Sequence, residues 1–191
     1  MSEDQLQRYL IDLVEEQETL SAIVVNENTE NQVLMQLTDC RFPSVRSQII
    51  FHDSVTPDII EKLAEDDSSE VLASLAMALT EPHYEDILEK LSENPNRMVQ
   101  YALSTNPKTP DIALANLAKS NSLVILLNVA KHHNIDTATQ EKMSQSPIHA
   151  LRMAIASNPV TKKYILMTLC KDPAKDVAAM AQAMLDKQIS N

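Results

Sequence analysis

The sequence predicts an all-α protein, a solenoid of about six two-helix repeats of ~26 residues each. Three observations point to that class. Anchor residues recur at Leu37, Leu63, Leu91, Leu117, Met143 and Leu169, with spacings of 26, 28, 26, 26 and 26; a fixed period of this length marks stacked structural repeats. Two aliphatic rows follow the anchors, Val45, Val71, Val99, Ile125, Leu151 and Val177, then Ile49, Leu75, Leu103, Val129, Ile155 and Ala181. The rows lie one helical turn apart and form one face of a second helix. Aromatic residues make up only 3% of the chain and Trp is absent, which argues against β-sandwiches.

Residues 2 to 20 place Leu6, Tyr9, Leu10, Leu13, Val14 and Leu20 on one helical stripe with acidic residues elsewhere, the pattern of an amphipathic helix. Ser2 is placed to cap it, with Gln5 as the reciprocal partner. Residues 1–25 are expected to form the polar N-terminal cap that a repeat array needs, and 26–185 the array. In each repeat, Leu34, Ile60, Leu88, Leu114, Gln140 and Leu166 stand three positions before the anchor and complete the stripe of a short first helix. Cys40, Asp66, Asn94, Ser120, Ser146 and Asp172 stand three positions after it. Most are good N-caps, and Pro95, Pro147 and Pro173 follow, so a second helix is expected to start there.

The second helices end at Asn26, His52, Thr80, Asn106, His132 and Asn158. Asn and His tolerate the left-handed conformation, so this row is expected to do the work of a C-terminal glycine. Thr56-Pro57 and Thr109-Pro110 then read as cap and first helical position, with Thr29 and Thr161 in the equivalent slot. The 28-residue unit places two extra residues near Leu79 to His83. Residues 186–191 read as a C-terminal tail, and one domain is expected overall.

Composition limits function as well as fold. The chain contains no glycine. Glycine supplies positive φ and close backbone approach to ligands, so the P-loop, the dinucleotide-binding fingerprint and the nucleophile elbow are all missing. Net charge is −11, distributed as −16 over residues 1–95 and +5 over residues 96–191. Cys40 and Cys170 lie far apart and form no ligand cluster, as expected of a reduced, cytoplasmic protein. The N-terminus lacks a signal-peptide pattern, and no stretch approaches a membrane span.

The run Asn94, Pro95, Val99, Asn106, Pro107, Thr109, Pro110, Leu114, Leu117 and Ala118 resembles the leucine-rich repeat variant family of bacterial proteins. The pattern returns in Ser146, Pro147, Leu151, Arg152, Asn158, Pro159, Thr161, Leu166 and Leu169, and Val45-Arg46 keeps the family's Val-Arg pair. The resemblance covers roughly residues 26 to 185. It implies a HEAT- and armadillo-like right-handed superhelix of short, often 3-10, first helices and longer α second helices, serving as an interaction surface. Some members carry a cysteine-rich iron-sulfur segment ahead of the repeats; residues 1–39 contain no cysteine, so no cofactor is expected.

Four features are candidates for function. His132, His133 and His149 suggest metal ligands, but adjacent loop histidines without a Cys or carboxylate at suitable spacing rarely converge on a metal. They are read as structural. Acidic residues concentrate at Glu61, Glu65 and Asp66 and at Glu85, Asp86 and Glu89; a solvated face competes there with a docking patch for a basic partner. Ala73, Met77, Tyr101, Leu127 and Met153 lie on the second helices away from the aliphatic rows. They read as core against the first helices, since Leu123 to Ala130 is apolar on every side, or alternatively as an apolar groove for a peptide helix. The last helix, Ala178 to Leu185, is rich in Ala, Met and Leu, and its end suggests homodimerisation.

The expected function is therefore a non-enzymatic, cytoplasmic scaffold that binds another protein, with the acidic half docking a basic partner. A HEAT-like nucleic-acid-binding protein or DNA glycosylase is the alternative, and a homodimeric structural protein is another. Nucleic acid would need the track Arg97, Lys108, Lys119, Lys131, Arg152, Lys162 and Lys163, against an overall charge of the wrong sign.

Overall fold

The structure, a computed structural model, describes residues 3–190; the cap expected from Ser2 lies outside them. Every regular element among the described residues is helical. The chain divides into two compact units, Met1–Ala78 and Leu79–Asn191.

The first unit holds α1 (Glu3–Val24), α2 (Asn31–Leu37), α3 (Pro43–Ile49), α4 (Pro57–Leu63) and α5 (Ser69–Ala78). Helix α1 packs on α3 and α3 on α5, while α2 and α4 pack on the second helix that follows each. The second unit opens with a 3-10 turn at Pro82–Tyr84, where the two extra residues fall. It continues with α6 (Glu85–Leu91), α7 (Arg97–Thr105), α8 (Asp111–Leu117), α9 (Leu123–Lys131), α10 (Thr137–Ser144), α11 (His149–Ser157), α12 (Lys163–Leu169) and α13 (Lys175–Ser190). There α7, α9, α11 and α13 pack in succession as one layer, while α6 packs on α8 and α10 on α12 in the other. The first helices are short α-helices of 7 or 8 residues, not the 3-10 segments that the resemblance implied.

Both aliphatic rows are buried at all twelve positions, as are the anchors from Leu63 onward. Leu37 is half-buried. The one polar residue in the row before the anchors, Gln140, is 1% exposed and bonded at both ends. Its Nε2 donates to the carbonyls of Ile135 (3.2 Å) and Val160 (3.3 Å), and its Oε1 accepts from the Lys162 N–H at 3.1 Å. A buried amide is tolerated because its donors and acceptor all have partners.

The helix ends differ from expectation in two ways. The row Cys40, Asp66, Asn94, Ser120, Ser146 and Asp172 does not cap the second helices, which begin three residues later. Each of these side chains instead accepts the N–H two residues on, from Phe42, Ser68, Asn96, Ser122, Ile148 and Ala174, closing the local turn that such side chains favour. Nor does the Asn/His row adopt left-handed backbone, for no described residue has positive φ. Asn106, His132 and Asn158 are extended, with φ of −74°, −70° and −78°.

Side chains, not backbone handedness, end these helices. His132 Nε2 bonds the Asn106 carbonyl at 2.9 Å and its Nδ1 accepts from the Asn134 N–H. His52 repeats both bonds with the Asn26 carbonyl and the Ser54 N–H. Asn106 and Asn158 do the same work with an amide: Nδ2 reaches back to Leu79, or to Ala130 and His132, and Oδ1 accepts from Lys108 or Val160. The hydroxyls of Thr29, Thr109 and Thr161 then donate to the carbonyls of Ile23, Leu103 and Ile155, satisfying acceptors a helix end leaves open. Thr56-Pro57 starts α4 as expected, whereas Pro110 is itself the N-cap of α8.

A second tie recurs nine positions past the anchor. Arg46 donates to both oxygens of Asp66 (2.6 and 2.7 Å) and to the Cys40 carbonyl. Arg152 grips Asp172 (2.7 and 3.1 Å) and the Ser146 carbonyl in the same way. Gln100 makes the neutral version, donating to the Asn94 carbonyl and accepting from the Ser120 hydroxyl. The intervening repeats carry Leu72 and Leu126 at this position, so polar clamp and apolar contact alternate.

Candidate interaction surfaces

The acidic residues separate once the clamps are known. Asp66 is not available to a partner: its side chain is 6% exposed and fully engaged by Arg46 and the Ser68 N–H. Burial alone would raise its carboxyl; the bonds from Arg46 and Ser68 outweigh that and hold it below the usual aspartate range. Bidentate pairing of this kind is the strong form of an Arg-carboxylate contact. Glu61, on α4, and Glu65, just beyond it, are exposed, as are Glu85 and Asp86 at the start of α6, while Glu89 is half-buried. Beside Asp66 in the first unit lies an open hollow of about 640 Å³, with Asp39, Glu65 and Asp67 on its wall alongside Lys62 and Arg41. Lys62 pairs with Asp39 at 2.7 Å.

Charge follows the division into units. Residues 1–78 carry 16 acidic and 4 basic side chains, a net of −12, and residues 79–191 carry 11 acidic and 12 basic, a net of +1. The basic residues do not all face solvent as free cations, since Arg152 is held by Asp172, whose carboxyl that contact lowers.

Of the apolar candidates Ala73 is buried, but the four larger side chains are not fully covered. Met77 is 61% and Tyr101 50% exposed, and Leu127 and Met153 are half-buried. Leu123 and Val124, taken as internal because α9 is apolar all round, also stand in solvent. In the second unit, Met98, Tyr101, Leu123 and Val124 put an apolar strip on α7 and α9. Periodicity located the helix face correctly but could not tell that no first helix covers it.

Of the three candidate histidines, His132 ties a helix end. Both ring nitrogens of His132 are occupied, so the Nδ1 acceptor fixes the proton on Nε2. Burial lowers its pKa, partly offset by the bond to Asn106. His133 stacks on it, and His149 pairs with Asp176 on another helix. No cluster of three or more metal-ligating side chains occurs among the described residues.

At the C-terminus α13 runs through Ser190, taking in residues 186–190 of the stretch read as a tail, and packs on α11 and α12. Gln188 Nε2 donates to the carbonyls of Pro159 and Thr161 at 3.0 Å, as Asn134 does to those of Pro107 and Thr109. Part of the Ala178 to Leu185 face remains open at Ala179, Met180 and Ala183. Sequence reading missed how little of α1 is covered: among its described side chains only Val24 is fully buried, and Tyr9, Leu10, Ile11 and Val14 are each at least half exposed.

No helix of the described residues is long and apolar enough to cross a membrane. No family model, curated protein or solved structure matches the chain.

Proposed function

We propose that the chain is a non-catalytic protein-binding scaffold, a helical solenoid of the leucine-rich repeat variant kind. It works in the bacterial cytoplasm and docks a basic partner on its acidic side. The observation that carries this reading is the pairing of a repeated internal frame with a divergent surface. Within each unit, equivalent side chains at positions 52, 106, 132 and 158 reach a carbonyl 26 to 28 positions back, which supports stacking of like units. Over that frame the first unit concentrates a net charge of −12, enough to steer a cationic surface toward it. Glu61 and Glu65 are the proposed contacts in the first unit, Glu85, Asp86 and Glu89 a separate acidic candidate in the second, and the apolar points Met77, Tyr101, Leu127 and Met153 the alternative ones.

Affinity capture from the native lysate with the tagged chain, at low and moderate salt, tests the reading. The expected result is a discrete basic protein whose retention falls as salt rises and is lost when Glu85, Asp86 and Glu89 are changed to Lys. Salt-independent retention would transfer the contact to the apolar points. Retention of the chain alone would favour the homodimer, which the open Ala179, Met180 and Ala183 face of α13 supports.

A further inference from the structure

We infer that the N-terminal half of α1 is a docking site for a basic amphipathic helix of a partner protein. The site is distinct from the acidic residues on α4 and α6, and the inference stands if those residues bind nothing.

Helix α1 spans 22 residues, and its second half is tied to residues in and beside α3. Gln17 donates to Ser44, Glu16 accepts from Arg41, and Ser21 accepts from Gln48. Ahead of them the stripe Leu6, Tyr9, Leu10, Leu13 and Val14 continues in the same helical register. Leu6 is 43%, Tyr9 and Leu10 51% and Val14 55% exposed. An apolar stripe at i, i+3, i+4 and i+7 is the form one helix offers to another.

Charge selects the occupant. At 100° per residue, Asp12 and Glu16 border the stripe on one side and Glu18 on the other. Helix α1 carries six acidic residues and one basic, Arg8, a net of −5. A second copy of the helix would set −5 against −5, and like charges flanking a helix-helix seam oppose pairing. A lipid surface is disfavoured for the same reason, because interfacial helices bind through Lys and Arg on the polar face and anionic leaflets repel carboxylates. A helix with Leu-type residues on one stripe and Lys or Arg beside it matches both features, burying the stripe and pairing with Asp12 and Glu18 across the seam.

The probe is a labelled 14-residue Lys/Leu peptide of helical pattern, compared with its Glu/Leu counterpart by fluorescence anisotropy on the full chain. The Lys/Leu peptide is expected to bind at least tenfold tighter. Leu6→Ser with Leu10→Ser and Leu13→Ser should weaken it at least tenfold, and Asp12→Lys with Glu18→Lys should do so by an independent route. Changing Glu61, Glu65, Glu85 and Asp86 to Lys should leave it within about twofold, which separates this site from the proposed docking face. Because the altered side chains lie outside the core, the melting midpoint checks that each variant is folded. Equal binding of the two peptides, or binding unchanged in both α1 variants, would overturn the inference. So would a dimer in sedimentation that Leu10→Ser dissolves, since the occupant would then be a second copy.

Discussion

Residues 1–78 and 79–191 use one set of internal ties and carry very different net charge. Arg46–Asp66 in the first unit and Arg152–Asp172 in the second are the same clamp, each closed by a carbonyl six positions before the arginine. His52 and His132 make the same pair of ring bonds. Yet net charge runs from −12 to +1 between the units. The frame constrains about two buried rows and two tying positions per repeat; the remaining positions are free to vary. What differs between the units is therefore where recognition is to be sought.

The sharpest way to break that comparison is to alter neighbouring residues of one helix. Leu103→Ala removes a fully buried side chain of α7 and should cost about 2–5 kcal/mol. Tyr101→Ala, two positions away on the exposed side, should change stability by no more than about 0.5 kcal/mol. Chemical denaturation measures both, and a large loss from Tyr101→Ala would return that face to the core.

The clamp comes next. Arg46→Leu leaves the Asp66 carboxylate buried without its partner and should cost roughly 1–3 kcal/mol, less than a fully enclosed pair because solvent reaches the edge of the group. Arg46→Gln combined with Asp66→Ser copies the Gln100 and Ser120 pair and should recover most of that loss. Failure to recover would mean that the charge itself is required. The folded Asp66 carboxyl lies below its ordinary value of 3.8, so its contribution is present above that pH and is lost as pH falls through the folded value. Acid titration of stability should be shallower in the doubly changed protein.

The His and Asn side chains that end the helices give a smaller effect with a distinctive pH signature. His132→Asn installs the residue found at positions 106 and 158, and above pH 7 it should alter stability by about 1 kcal/mol or less. The folded pKa of His132 lies below the ordinary 6.5, so protonation favours unfolding, and stability is full above 6.5 and declines as pH falls below it. The Asn variant should lack that portion of the decline. An unchanged acid limb would show that His132 is not its source.

Much of this frame was legible in the sequence because burial repeats with the period. The anchors and both aliphatic rows were readable for that reason. The helix ends were not. Asn and His suggested left-handed backbone, but the same side chains solve the problem by bonding a carbonyl one repeat earlier, a contact invisible from local spacing. Asp66 was misassigned to the docking patch for a related reason. Its partner lies 20 positions away, and only the recurrence of Arg and Asp at that separation in residues 46 and 66 and again in 152 and 172 could have revealed it. Met77 and Tyr101 show a third limit, since periodicity orients a helix face without saying whether anything packs on it. The stripe of α1 is the same case in reverse, a face that periodicity marked for burial and that the fold leaves open.

The central claim is that frame and recognition surface are separable, and one paired measurement tests it directly. In the chain with Glu61, Glu65, Glu85 and Asp86 changed to Lys, the melting midpoint and the capture of the basic partner are read on the same preparation. The account predicts a midpoint within about 2–4 °C of the unaltered protein, a shift of no more than about 1 kcal/mol, together with loss of the partner. A retained partner, or a midpoint that falls well beyond that range, would contradict it.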